Sequence, residues 1–434
     1  MKHQFKKHLS IPSLLETVRK AFSKVSERDL SSKYSLVDCL MCGMAIFGMK
    51  YASLLKFDQD MRSEESEIKS NLRSLYQVGK APSDTCLRER LDDIDYLELR
   101  PAFNALLSVL QRGKALEQYR FFGDYYLISS DGTGMFSSHE IHCDNCCVKN
   151  HRDGTKTYYH QMLCASIVHP DIKQVIPLAP EPIIKSDGNK KNDCERNAAK
   201  RLIERLRKEH PHLPMIFVED ALYANGPHID ELNKHNIRYI LGVKPGDHAW
   251  LFDWVNASTL ERLVIKKDGV THEFEWINGA ELNETRGDIK VNFLSYKETN
   301  KKGKVQRFTW VTDLELNRSN VFKIMKGARA RWKIENETFN TLKNQGYNFE
   351  HNFGHGKNNL CSVFGFLMLL AFMVDQIQEL SCPLFQAALE KHGRRSYLWE
   401  RIRSAFFVTI IKSWEALYLY IAGKLKSPPI IDTC

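Results

Sequence analysis

Apolar residues recur at helical spacing over the first 115 residues of the chain. Within 11–25 they fall at every third or fourth position, which predicts an amphipathic helix. The run 35–56 is apolar over most of its length and predicts one long helix. The segment 81–84 predicts a turn in which Asp84 caps the next helix. Residues 1–115 are therefore expected to form a helical region.

The pattern changes at about residue 116, where aromatic and β-branched residues replace the helical spacing. The predicted elements are a charged helix at 192–210 and strands at 121–130, 158–169, 172–184, 215–218 and 238–243. Strands that alternate with helices are typical of a mixed α/β sheet. We expect residues 116–245 to form the first part of an α/β core.

The remaining sequence divides into three parts. Short alternating runs with turn signals between them predict a β-rich insertion at 246–308. Helical spacing then predicts a second part of the core at 309–380 and a C-terminal helical region at 381–434. The strongly apolar run 361–374 is shorter than the roughly 18 residues that a spanning helix needs, so it predicts a buried core helix and no membrane partner.

Composition and charge narrow the class of protein. The 434 residues include 43% hydrophobic and 26% charged residues, which is typical of globular proteins. Lysine and arginine exceed aspartate and glutamate by 62 to 53, and this excess suits a polyanionic partner without requiring one. The first residues are basic but carry no apolar signal segment, and the eleven cysteines are an odd number. We expect a cytoplasmic protein with reduced thiols.

Two aspartates each follow a predicted buried strand. Asp131 comes after YYLISS and Asp220 after MIFVE. Strands disfavour aspartate, and ligands gather where parallel strands end, so both residues are candidates for a site. Asp131 is followed by Gly132, and an ordinary Asp-Gly turn is the alternative.

A third carboxylate lies in the helical segment ARARWKIENETFNTLK. Arg331 and Glu335 are four residues apart and share one face of a helix. Lys343 lies two turns further, and its long side chain can reach back toward the same place. A surface ion pair between Arg331 and Glu335 is the alternative.

Together, these residues resemble the DDE transposases of bacterial insertion sequences. The resemblance covers roughly residues 80–375 and is greatest to the insertion-sequence-four type, which carries a β-strand insertion before the glutamate. It implies a ribonuclease H-like catalytic core with a β-rich insertion, flanked by helical regions. It also implies that Asp131, Asp220 and Glu335 are the catalytic triad, and that Arg331 and Lys343 face the DNA backbone.

The sequence departs from the family pattern at three places. The family has a tyrosine three positions before the arginine, where this chain has Ala328. The gap from Glu335 to Lys343 is one residue longer than usual, which leaves Glu337 as a rival for the third carboxylate. The usual glycine-containing turn after Asp220 is replaced by Ala-Leu-Tyr.

The resemblance further implies an activity, cofactors and partners. The activity is cut-and-paste transposition of an insertion sequence, with two Mg²⁺ or Mn²⁺ ions held by the triad. The partner is double-stranded DNA, at the transposon ends and the target, bound by a homodimer in the bacterial nucleoid. Arg88 and Arg90 are candidate DNA contacts in the N-terminal region, with solvated helix faces as the alternative. A ribonuclease H-like nuclease and an inactive DNA-binding derivative are the competing functions.

Two further features of the sequence concern stacking on DNA bases and metal binding. Four tryptophans, at positions 250, 254, 276 and 310, lie in or beside the insertion, and the resemblance implies that one of them stacks on a flipped base. We select Trp310, although core packing explains most of the four. Cys143 and Cys146 have zinc-like spacing with histidines nearby, but no second closely spaced ligand pair follows. A reduced loop that is rich in cysteine and histidine is therefore favoured over a zinc site.

Overall fold

The computed structural model describes residues 7–28, 31–63, 66–185 and 194–425. The N-terminal region contains six α-helices: α1 (Ile11–Phe22), α2 (Leu36–Gly48), α3 (Leu54–Arg62), α4 (Ser66–Tyr76), α5 (Asp84–Asp92) and α6 (Arg100–Arg112). The middle of the chain adds α7 (Glu195–Glu209), α8 (Gly226–Lys234) and α9 (Ala249–Asn256). The last part contains α10 (Val321–Arg329), α11 (Asn340–Asn344), α12 (Leu360–Ser381), α13 (Pro383–His392), α14 (Arg395–Val408) and α15 (Trp414–Ile421).

Within the described part of the chain, eleven strands form one mixed sheet. They are β1 (Tyr126–Ser138), β2 (Cys147–Asn150), β3 (Lys156–His169), β4 (Ile172–Pro177), β5 (Glu181–Ile183), β6 (Met215–Glu219), β7 (Arg238–Gly242), β8 (Glu261–Lys267), β9 (Val270–Glu281), β10 (Lys290–Thr299) and β11 (Val305–Thr312). The main order is β2-β3-β1-β6-β7-β11-β10-β9-β8, and β4 and β5 also pair with β3. Strands β1, β6 and β7 are parallel, whereas β1 and β3 are antiparallel. This arrangement is the predicted ribonuclease H-like α/β core.

The insertion extends the core sheet. Strand β11 pairs antiparallel with β7, and β10, β9 and β8 follow outward in turn. Trp276 of β9 is fully buried, so the insertion has its own apolar face. The predicted β-rich segment is confirmed, but it begins with helix α9 and its last strand runs beyond residue 308.

Helix α12 lies at the centre of the core. It contacts β4 on one side and α1, α2 and α5 on the other, so it joins the N-terminal helices to the sheet. By length and composition α12 could cross a membrane, but its most apolar 18-residue window is entirely buried inside the protein. The helix is longer than predicted because it continues through the buried polar residues Asp375, Gln376 and Gln378.

The long helix predicted at 35–56 is wrong, because the chain breaks between α2 and α3. Lys50 adopts a left-handed backbone with φ of 58° at this break. Its side chain is fully buried, forms an ion pair of 2.6 Å with Asp375, and lies over the rings of Tyr347 and Trp399. Burial lowers the pKa of Lys50 to about 8, and Asp375 opposes this shift. A long-range contact therefore decides this local conformation.

Two other local predictions are corrected. Ser83, and not Asp84, caps α5, since its hydroxyl accepts from the backbone N–H of Cys86. The strand predicted to end at residue 130 continues to Ser138, so Asp131 lies within β1 and not in a turn. Pairing with β3 keeps this strand extended, with Asp131 opposite Cys164.

Candidate active site at the end of the parallel strands

Asp131 lies within β1, and Asp220 directly follows the neighbouring parallel strand β6. The parallel register pairs Ser129 of β1 with Val218 of β6. Two residues further along each strand direction, Asp131 and Asp220 are therefore side by side. Each aspartate accepts a backbone hydrogen bond of 2.9 Å, from Gly132 and Leu222 respectively. The parallel register therefore places both aspartates beside the end of β6.

Glu335 lies in a π-helix, Ile334–Phe339, between α10 and α11. Single π-helical turns are frequent at functional sites because they shift side chains around the helix axis. Two contacts hold this segment against the sheet. The Ser129 hydroxyl donates to the backbone oxygen of Arg331 at 2.9 Å, and the hydroxyls of Ser166 and Thr338 lie 3.4 Å apart.

Arg331 joins the third carboxylate to the first. Its Nη1 lies 2.7 Å from Glu335 and 3.5 Å from Asp131. The Arg331 side chain is 17% exposed and that of Glu335 is 47% exposed, so the arginine is half-buried while the glutamate is accessible. The charge of the rival Glu337 raises the pKa of Lys333 and of Arg395, and Glu337 is not among the groups that shift the pKa of Asp131.

The electrostatic environment of Asp131 is unusual for an aspartate. Burial raises the pKa of Asp131 to about 7, and Glu335 and Asp220 add to the shift, whereas Arg331 opposes it. The positive charge around a carboxyl group with this pKa is too small to stabilise the ionised form of the group. Such perturbed groups are typical of sites that bind a cation or perform proton chemistry.

A fourth carboxylate, Glu195, lies at the same site and was not predicted. It is the first residue of α7, and its side chain lies against the backbone of Gly132, where a Cβ atom would collide with it. Burial raises the pKa of Glu195, and the neighbouring Asp220 contributes to the shift. The sequence carries no signal for this contact, because a glutamate at the start of a helix is ordinary helix-terminal charge.

Glu219, next to Asp220, has a supporting position. It is 2% exposed, accepts a hydrogen bond from Ser130, and lies 2.7 Å from Nε2 of His228. These contacts connect Ser130 of β1 and the end of β6 with α8. Glu219 is therefore enclosed by protein partners, while Asp220 faces an open groove lined also by Arg196 and Lys244.

The predicted DNA contacts around the insertion differ in accessibility. Trp310 is 7% exposed and stacks on Phe308, although it borders a cleft that also contains Asp220 and Arg331. Trp250 is 40% exposed and lines the groove beside Asp220. Trp250 is thus the more accessible of these two rings. Lys343 forms an ion pair of 2.7 Å with Glu350 and is 31% exposed.

The two arginines considered as N-terminal DNA contacts, Arg88 and Arg90, lie on α5, and each forms an ion pair. Arg88 pairs with Asp84 one turn away and is 43% exposed. Arg90 pairs with Glu27, and its side chain is 10% exposed. The position of Arg88 leaves it accessible to DNA, whereas the burial of Arg90 favours a structural role.

Cys143 and Cys146 lie outside this site. They meet His160 of β3 and His355, which precedes α12, in one compact cluster. The sequence suggested that a second ligand pair was missing, but the tertiary structure supplies these two histidines from distant positions.

Comparison with known families agrees with this geometry. A family model described as transposase DDE domain matches residues 148–373, slightly more than half of the chain. The chain therefore belongs to the DDE transposase family, as the sequence predicted, and transposases act on DNA. The match contains Asp220 and Glu335 and begins after Asp131. No curated protein matches this chain.

Proposed function

We propose that the protein cuts and joins DNA in cut-and-paste transposition of an insertion sequence of the insertion-sequence-four type. Asp131, Asp220 and Glu335 are the catalytic residues of this proposal. The observation that carries it is that Asp131 and Asp220 are neighbours on the parallel pair β1 and β6, while Arg331 contacts both Asp131 and Glu335. Family membership supports the same reaction class.

The donor set fits divalent cations of the Mg²⁺ or Mn²⁺ type. All the candidate ligands are carboxylate oxygens, which these hard ions prefer. The raised pKa of Asp131 supports the fit, because a bound cation would favour its ionised form. Two such ions would activate the attacking water or 3′-hydroxyl and stabilise the leaving oxygen of an in-line phosphoryl displacement. Asp131, Asp220 and Glu335 would hold these ions.

The remaining residues orient the acids and the DNA. Arg331 holds the carboxylate of Glu335 near Asp131. Because a guanidinium group binds a carboxylate and a phosphate in the same geometry, Arg331 can exchange the Glu335 carboxylate for a DNA phosphate. Lys343 and Arg88 are proposed backbone contacts. Arg196, Lys244 and Trp250 line the groove beside Asp220, and this combination of cationic and aromatic side chains suits a nucleic acid strand.

The test is a strand-transfer assay with Mg²⁺ or Mn²⁺, using the DNA ends that flank the gene. Glu335→Gln and Glu337→Gln are the matched variants, since they change the same group two residues apart in one π-helix. We expect Glu335→Gln to lose cleavage and joining by at least about a thousandfold while it still binds DNA. Glu337→Gln should keep both activities.

Other outcomes separate the competing functions. Cleavage without joining in the wild-type protein would favour a nuclease. DNA binding without any metal-dependent chemistry would favour an inactive derivative. Loss of activity in Glu337→Gln but not in Glu335→Gln would refute the assignment of the third carboxylate. Analytical ultracentrifugation with and without the DNA ends tests the proposed homodimer.

A further inference from the structure

Four metal-type ligands lie together near Phe136 of β1, which pairs with His160. They are the thiols of Cys143 and Cys146 and the imidazoles of His160 and His355, with donor atoms all within 4.8 Å of one another. Cys146, His160 and His355 are 1%, 2% and 7% exposed. Among the described residues, this is the group whose ligand atoms gather most closely for a metal.

The distances agree with tetrahedral coordination of zinc. With Zn–S of about 2.3 Å and Zn–N of about 2.05 Å, a tetrahedron places its ligand atoms roughly 3.8 Å (S–S), 3.6 Å (S–N) and 3.3 Å (N–N) apart. The two sulfur atoms are 3.9 Å apart, and the two Nε2 atoms are 3.2 Å apart. Three of the four sulfur–nitrogen distances are 3.5 Å, 3.3 Å and 3.2 Å, and the fourth, from Cys143 to His355, is within 4.8 Å.

We infer that Cys143, Cys146, His160 and His355 form a structural zinc site. Two thiolates and two imidazoles in a tetrahedron are the donor set that selects zinc over Mg²⁺. All four coordination positions come from the protein, so the site leaves none open for substrate and serves the fold. The inference does not depend on the proposed transposition chemistry.

The surroundings prepare these ligands for a metal. Nδ1 of His355 lies 2.8 Å from the backbone oxygen of Gly356, a contact in which the ring donates and leaves Nε2 free as a ligand. The backbone N–H of Cys143 lies 3.5 Å from Sγ of Cys146 and partly compensates its charge as a thiolate. Nδ1 of His160 is buried and has no hydrogen-bond partner among the described residues.

The loop that carries His355 is built to hold this position. The carboxylate of Asp92 accepts hydrogen bonds from four consecutive backbone N–H groups, those of residues 357–360, at 2.8–3.0 Å. Gly356 has φ of +73°, and a Cβ atom there would collide with Asp92. Asn145 also donates to the backbone oxygen of Asn358 at 3.0 Å.

The zinc site joins segments that are distant in sequence. His160 and His355 are 195 residues apart, and the two cysteines lie in the turn between β1 and β2. The ring of Phe136 on β1 packs on His355 at 4.4 Å between centroids. The metal therefore holds the β1–β3 pair against the entry of α12, the central helix of the core.

Metal analysis of the purified full-length protein tests the inference. The protein is produced with zinc in the medium, and metals are measured by plasma mass spectrometry after gel filtration. We expect about one zinc per chain in the wild type and in Cys42→Ala, and less than about a tenth of that in Cys146→Ala. Cys42 is the matched control because it is also fully buried but lies in α2, outside the cluster.

A second measurement covers the case in which Cys146→Ala does not fold. Wild-type protein produced with Co²⁺ in place of zinc should show the intense visible absorption of a tetrahedral thiolate site. A zinc chelator should remove the metal and lower the melting temperature of the wild type. Wild-type protein without zinc and without this cobalt spectrum would overturn the inference. So would full zinc content in Cys146→Ala, or a Cys143–Cys146 disulfide found by mass spectrometry.

Discussion

Replacing Asp131 with asparagine should make the protein more stable at alkaline pH when Mg²⁺ is absent. The variant keeps the size of the side chain and the acceptor for the Gly132 backbone N–H. It removes a carboxylate whose ionisation is disfavoured in the folded chain, mainly by burial. Active-site groups of this kind commonly reduce stability in exchange for function.

The magnitude follows from the pKa of Asp131, which rises from 3.8 to about 7 on folding. At about 1.4 kcal/mol per pH unit, the full difference corresponds to roughly 4 kcal/mol. Solvent screening at a side chain that is 24% exposed reduces the expected value to roughly 2–4 kcal/mol. Between about pH 4 and pH 7 the folded wild type binds more protons than the unfolded chain, so its stability falls as pH rises. The Asp131→Asn variant lacks this loss.

The assay is urea unfolding of both proteins at pH 5 and pH 8 in Mg²⁺-free buffer. Chelators are avoided because they would also remove zinc. The free energy of unfolding of Asp131→Asn should exceed that of the wild type at pH 8, and the difference should shrink toward pH 5. Adding Mg²⁺ should also reduce this difference in free energy, because the cation favours the ionised carboxylate of Asp131. Asp124→Asn is the control, since the Asp124 side chain is 79% exposed. An equal difference at both pH values would refute the reasoning.

Two further substitutions test the packing around the site and the core. Gly132→Ala places a Cβ atom against the carboxylate of Glu195. It should lower the rate of strand cleavage by about tenfold or more in a folded protein. Gly134→Ala is the control, because a Cβ atom there meets open space and should leave the rate unchanged. Lys50→Ala leaves the buried carboxylate of Asp375 unpaired and should lower the free energy of unfolding by roughly 3–5 kcal/mol. In urea unfolding, the double change Lys50→Met with Asp375→Asn should lose less than the single variant, and a larger loss would contradict this account.

The local sequence pattern was sufficient to predict an element whose conformation depends mainly on its own residues. Apolar spacing predicted α1 and the strand–helix alternation of the core, and α12 was recognised as a buried helix. The positions of Asp131 and Asp220 after apolar strand residues were enough to nominate both. The parallel register of β1 with β6, which the sequence does not specify, makes the two residues neighbours.

Local pattern failed where a distant residue determines the conformation. The break at Lys50 depends on Asp375, which is 325 residues away. The extension of β1 through Asp131 depends on pairing with β3. An isolated Asp-Gly pair favours a turn, but the hydrogen bonds of a neighbouring strand outweigh that preference.

The sequence by itself determined the candidates for chemistry: two aspartates, a glutamate with its arginine, and a pair of cysteines. Tertiary structure decided which of them act together. Arg331, which shares a helix face with Glu335, also lies 3.5 Å from Asp131, and the folding of α7 brings Glu195 to Gly132. The two cysteines acquire their histidine partners because β3 and the α12 loop meet in space. Spacing along the chain specifies only which residues can share a face, whereas long-range packing specifies which faces meet.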